Sequence, residues 1–207
     1  LPLNWLDVQD FTELPEKLAN TTIPEYQTCL SWLLEKDASV DVLTHVHMVA
    51  GLAYTISCKL HKKDILINPL LVHRAGLLHD LAKIRALQSD IDHGTMGAQW
   101  LLERNLPEIA EITRRHVLNA ILDPLKAPRT WDEKIIFYTD KIVNRSELVP
   151  IELRIKSLAE RYPLYSDEIN QSLIPVRDLQ DEICSILGTT PAELLLQLAQ
   201  EIYSNQH

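Results

Sequence analysis

Apolar residues recur along most of the chain at i, i+3, i+4 and i+7, while alternating apolar and polar runs are nearly absent. That periodicity predicts an all-α fold. Helix boundaries are marked by local chemistry. Thr22 and Pro24 open a helix that runs through Lys36, and Asn68 followed by Pro69 opens one through about Lys83. Asp92 is placed to cap a helix reaching Asn105, and Pro107 starts one reaching about Leu118. Thr130-Trp131-Asp132-Glu133 is a capping box ahead of a helix to about Arg145, and Thr190 with Pro191 begins the last helix. Further helices are predicted over 42–61, 150–161 and 166–187, the last bent at Pro175. Residues 9–20 form a polar, proline-containing segment with no firm periodicity. Trp5, Trp32, Trp100 and Trp131 and the leucine runs fall at helical spacing and read as packing, with Tyr138 a weak candidate for base stacking.

Composition narrows the class. The 207 residues are 46% hydrophobic and 24% charged, which excludes disorder and suits one domain with a real core. Cys29, Cys58 and Cys184 show no CxxC spacing and lie in apolar helical patterns, so reduced, buried thiols of a cytoplasmic protein are expected. No apolar run approaches the roughly 20 residues of a membrane helix, and residues 1–10 lack an export pattern, so no membrane partner is expected. The net charge of −9 argues against nucleic acid as a partner. That charge is uneven: 1–39 and 150–207 each carry −5, whereas 40–149 carries +1 with seven of the eight histidines. An anionic ligand belongs to the middle segment. With only five glycines there is no phosphate-cradling loop, so phosphate binding would have to come from side chains or metal.

Six polar residues in the central helices sit where apolar ones are due. His45 lies between Val42 and Val49, and Asp140 between Ile136-Phe137 and Val143; His79, Asp80, His93 and His116 also fall at inward phases. Burying one such group without a partner costs several kcal/mol, so six together need a shared reason, and divalent cations are the simplest. Four imidazoles and two carboxylates on separate helices can enclose two metals. His47 stands about 200° of helix from His45, and His73 is out of phase with His79. These two, with His61 and His207, read as ordinary hydrogen-bonded or exposed residues.

The strings Thr44-His45-Val46-His47-Met48-Val49-Ala50, Ala75-Gly76-Leu77-Leu78-His79-Asp80-Leu81-Ala82-Lys83 and Phe137-Tyr138-Thr139-Asp140-Lys141 together resemble the HD-domain metal-dependent phosphohydrolase superfamily. The resemblance implies a helical bundle with its metal sites in the core. It covers roughly 22–162 of a single domain over 1–207, leaving 1–21 as an N-terminal extension and 163–207 as C-terminal helices. It further implies that His45, His79, Asp80 and Asp140 bind one metal. His93-Gly94-Thr95-Met96-Gly97-Ala98 and Arg114-Arg115-His116 resemble elements of the dinuclear members, which include dinucleoside tetraphosphate hydrolases. There His93 and His116 would hold a second metal with Asp80 bridging. After Asp140 the chain departs from that branch, reading Lys141-Ile142-Val143-Asn144-Arg145. The cyclic-dinucleotide phosphodiesterase branch fits less well, because only His116 stands where that branch has paired histidines.

The expected activity is cleavage of a phosphoester or phosphoanhydride, of a nucleotide, by a metal-activated hydroxide. Two ions sharing a carboxylate neutralise the phosphoryl oxygens and generate hydroxide near neutral pH. The His and Asp set favours Fe, Mn, Co, Ni or Zn, with Mg also usable. Asp80 and Lys83 are the expected catalytic residues. Lys83, one turn after His79, and Arg145 are the candidate phosphate cations, whereas Lys141, Arg114 and Arg115 read as solvated. Two other readings compete: a mixed-valent di-iron oxygenase using the same six ligands, and a non-catalytic nucleotide-binding regulatory module. The C-terminal helices are candidates for shaping the pocket mouth or a homodimer interface.

Overall fold

The computed structural model describes residues 21–204. Trp5, His207 and the segment 9–20 lie outside the described residues. The helices are α1 (Tyr26–Glu35), α2 (Val40–His61), α3 (Pro69–Leu78), α4 (Lys83–Ala86), α5 (His93–Leu102) and α6 (Pro107–Arg115). They continue with α7 (Trp131–Lys141), α8 (Ile151–Arg161), α9 (Ser166–Gln171), α10 (Leu173–Leu187) and α11 (Pro191–Ser204). The fold is all-α as expected. Its one extended feature among the described residues is a two-residue antiparallel ladder, Val143–Asn144 against Glu147–Leu148.

The caps act where the sequence places them. Asn68 accepts the Leu71 amide ahead of Pro69, and Asp92 accepts the Thr95 amide at 2.9 Å. Thr130 and Glu133 satisfy each other's amides at the start of α7, as Thr190 and Glu193 do ahead of α11. Gly188 closes α10 in the left-handed conformation, φ 69°.

Several ends differ from expectation. α3 stops at Leu78, because the next bonds run i to i+3, from the Leu81 amide to Leu78 and from Lys83 to Asp80. Lys83 therefore starts α4 instead of continuing the His79 helix. α6 ends at Arg115 and gives way to a 3₁₀ turn, Leu118–Leu122. α7 ends at Lys141, and Arg145 sits at the tip of the short hairpin with φ 60°. The break in the 166–187 stretch falls at Ser172, whose hydroxyl bonds back to Ile169; Pro175 lies in the first turn of α10, where a missing N–H leaves no helix bond unmade.

α2 and α3 form the centre of the bundle, with α7 lying across both. Their approach requires Gly76: a Cβ there would stand 2.6 Å from Ala50 Cα. α1 covers α3; α5 pairs with α6, which packs on α3 and α7; α10 leans on α2, α7 and α8. Val46, Val49, Ile56, Leu77, Ile136 and Phe137 are fully buried in the shared core. Tyr138 is buried too, its hydroxyl bonded to Gln180, so it is a core residue and not a stacking surface. All three cysteines are free thiols, Cys29 and Cys184 buried. Among the described residues no helix is long and apolar enough to cross a membrane.

Candidate metal centre

The six inward-phased residues meet at one place. His45 comes from the second turn of α2, His79 and Asp80 from the turn after α3, and His93 from the first residue of α5. His116 caps the C-terminus of α6, and Asp140 stands in the last turn of α7. Five are buried, and the sixth, His93, is partly exposed. In a regular helix, neighbours such as His79 and Asp80 would diverge by about 100°. The tight i to i+3 turn instead aims both at the same point.

Backbone carbonyls fix the imidazoles. Nδ1 of His79 donates to Gly76 O at 2.7 Å, Nδ1 of His45 to Arg145 O at 3.1 Å, and Nδ1 of His116 to Thr113 O. A carbonyl only accepts, so each Nδ1 holds the proton and each Nε2 presents a lone pair to the centre. The His79 Nε2 is buried without a hydrogen-bond partner. His45 Nε2 and Asp140 Oδ1, both acceptors in this arrangement, lie 3.0 Å apart. Two lone pairs at that distance repel unless a proton or a cation joins them. The donor set therefore fits a cation.

Two overlapping trios have ligand atoms within 4.8 Å of one another: His45, His79 and Asp140, and His79, Asp80 and His116. The Asp80 carboxylate spans the two sides. Its Oδ2 is 3.9 Å from His45 Nε2 and 3.7 Å from His79 Nε2; its Oδ1 is 3.3 Å from His93 Nε2 and 3.4 Å from His116 Nε2.

Electrostatics suit metal binding. Burial pushes the His79 and His93 imidazoles down to about 3, so both are neutral near pH 7. Burial opposes the charge on Asp80 and Asp140, but the surrounding donors and cations, led by Lys83 at the first and Lys141 at the second, together outweigh it and hold both carboxyls well below the usual range. Lys83 Nζ lies 3.3 Å from Asp80 Oδ1. Lys83 reaches the cluster through the turn after α3 and not along a continuous helix face. Burial also disfavours the Lys83 charge, and Asp80 with Asp140 outweighs it and raises the pKa of the ammonium.

His47 and His73 face elsewhere. His47 is held by the Tyr26 hydroxyl and Leu43 O, and His73 is buried beside Arg74 and the Tyr54 ring. Two basic residues join the centre that the sequence reading did not place there. Lys141, expected at the surface, is buried, with Nζ on Asp140 Oδ2 and on His116 O. Arg154 of α8 bonds Asn144 Oδ1 at 3.1 Å and lies 3.8 Å from Asp140 Oδ1. Its signal was an arginine on the apolar face marked by Ile151 and Ile155. Arg145 contributes its carbonyl to His45, while its side chain is exposed beside the centre.

Residues 42–162 match the HD domain family. The chain belongs to it. The matched span contains all six residues of the cluster as well as Lys83, Arg145 and Arg154. HD domains bind divalent metals, and the family consists generally of metal-dependent hydrolases. The chain is also similar to an uncharacterized protein of Methanocaldococcus jannaschii, 29% identical over 174 residues that cover 79% of this chain and 99% of that protein. No solved structure matches it.

Proposed function

We propose that this HD-domain protein is a phosphohydrolase acting on a small phosphorylated molecule, a nucleotide, with two divalent ions held by His45, His79, Asp80, His93, His116 and Asp140. The observation that carries the reading is the Asp80 carboxylate, one oxygen toward the His45–His79 side and the other toward His93 and His116. Bound there, divalent ions supply positive charge to the phosphoryl oxygens and acidify water. The chain does the rest. Asp80 orients both sides of the centre, and the Gly76, Thr113 and Arg145 carbonyls hold the imidazoles in the ligating tautomer. Lys83 holds a non-bridging phosphate oxygen, with Arg145 at the opening.

A nucleoside is accommodated by a cavity of about 370 Å³ that reaches His93 and is walled by Tyr162, Tyr165, Val117, Leu118 and Ile169. Its apolar and aromatic walls suit a base, and the cations beside the centre favour phosphate chemistry over an oxygenase built on the same ligands. A phosphate-release screen over nucleotides, run with the chain loaded in turn with Mn, Fe, Co, Ni, Zn and Mg, tests this. Release that Asp80→Ala abolishes is expected. Oxygen consumption by the iron form with no phosphate release under any metal would overturn it.

A further inference from the structure

Two cavities open on the metal centre from either side of one wall. The first, about 320 Å³, is lined by His45, Asp80, Lys83, Arg145, Arg154 and Arg161. The second, about 490 Å³, reaches His93, His116 and Asp140 and shares Lys83, Arg154 and Arg161 with the first. Arg154 and Arg161 are seven residues apart on α8, two turns on one face, about 10 Å along the axis.

Lys83 and Arg154 each face a carboxylate of the centre, but the other two cations of the first cavity do not, in a chain with 29 acidic and 20 basic residues. Arg85, Arg104, Arg114, Arg115 and Arg177 each sit against a carboxylate. Arg145 and Arg161, both exposed, form no ion pair with a described residue. Arg154 is buried with Asp140 Oδ1 3.8 Å away, yet of its five N–H donors only one makes a hydrogen bond to a described residue, Asn144, and its Nε has none. Asp140 offsets part of its charge at a distance too long for a hydrogen bond, so the buried N–H groups stay under-bonded and an anion on the cavity side would complete them. Asp41 lines the first cavity with Asp80, two acids against Lys83 and three arginines. A scissile phosphate beside Lys83 and the metals would leave Arg161, about 10 Å along α8 from Arg154, unfilled.

We propose that Arg154 and Arg161, with Arg145, form a second anion subsite that takes a further phosphoryl group of the substrate, which therefore carries a phosphate chain and not a single phosphate. The proposal rests on the phosphohydrolase reading for what is cleaved, but the subsite stands on its own geometry. The test is calorimetric titration of the metal-loaded full chain, freed of excess metal, with inorganic pyrophosphate and with inorganic phosphate. Pyrophosphate is expected to bind at least about tenfold more tightly, the gain of one or two charged hydrogen bonds. Arg161→Gln, at a residue that touches none of the six ligands, should reduce that preference to under about threefold with metal content unchanged, and Arg161→Lys should restore part of it. Equal binding of the two anions by the wild-type chain, or a preference that Arg161→Gln leaves intact, overturns the subsite. A pyrophosphate preference in a chain that hydrolyses no nucleotide, as judged by chromatography of all products, would overturn the hydrolase reading instead and leave the subsite standing.

Discussion

His79 holds the centre's logic in one ring: Nδ1 is spent on Gly76 O, and Nε2 is buried with nothing to bond. Lys83, by contrast, touches the centre only through its ammonium, 3.3 Å from Asp80, with its side chain 37% exposed. Lys83→Ala should therefore leave metal content intact and lower turnover by about tenfold to a thousandfold, as for loss of one charge-stabilising donor. Metal analysis beside steady-state kinetics checks this, and wild-type turnover would return Lys83 to the solvated surface. Asp132 offers a second test, remote from the site. Burial pushes its carboxyl up to about 6, against the opposing hydrogen bond from the Asn68 amide. A carboxyl raised in the fold favours folding below its unfolded pKa, and that contribution is lost as pH rises from about 4 through 6. Asp132→Asn keeps the acceptor and removes the charge. Allowing for partial solvent screening, it should stabilise the protein by about 1 kcal/mol at pH 7.5 and by nothing near pH 4. Urea unfolding at both pH values shows whether the gain follows that window.

The α2–α3 contact is the element on which the site depends, since it carries His45 on one side and leads into His79 and Asp80 on the other. Gly76→Ala would push a methyl group against the Ala50 backbone, and two rigid helices cannot yield cheaply. A loss of about 1–3 kcal/mol is expected in thermal or denaturant unfolding, with weakened metal retention, because Gly76 O also orients His79. At this scale the sequence was legible where a side chain does the terminating. Asn68, Asp92, Thr130 and Thr190 cap the helices they announce. It was not legible where backbone geometry changes without a change in pattern. Leu77, Leu78, Leu81 and Ala82 are all buried, so an α-helix and a tighter turn read alike. The cluster was visible because histidine and aspartate in inward phases have no cheap apolar explanation. Lys141 and Arg154 escaped because long basic side chains at such phases often reach solvent, which these two do not.

Across the whole molecule, α2, α3, α5, α6 and α7 each contribute to one polar cluster inside an apolar bundle. Without a cation, that cluster sets lone pair against lone pair at the core. Removing metal with a chelator should therefore lower the unfolding temperature by several degrees, and restoring it should recover the loss, growing with the logarithm of metal concentration over its dissociation constant. The same change should be absent in Asp80→Ala, which has lost the carboxylate that both sides share. The proposed joining of two ions by Asp80 is tested by metal stoichiometry, measured by mass spectrometry on the chain saturated with Mn, Co or Zn. Two ions per wild-type chain are expected, one in His93→Ala and close to none in Asp80→Ala. One ion per wild-type chain, unchanged in His93→Ala, would contradict it.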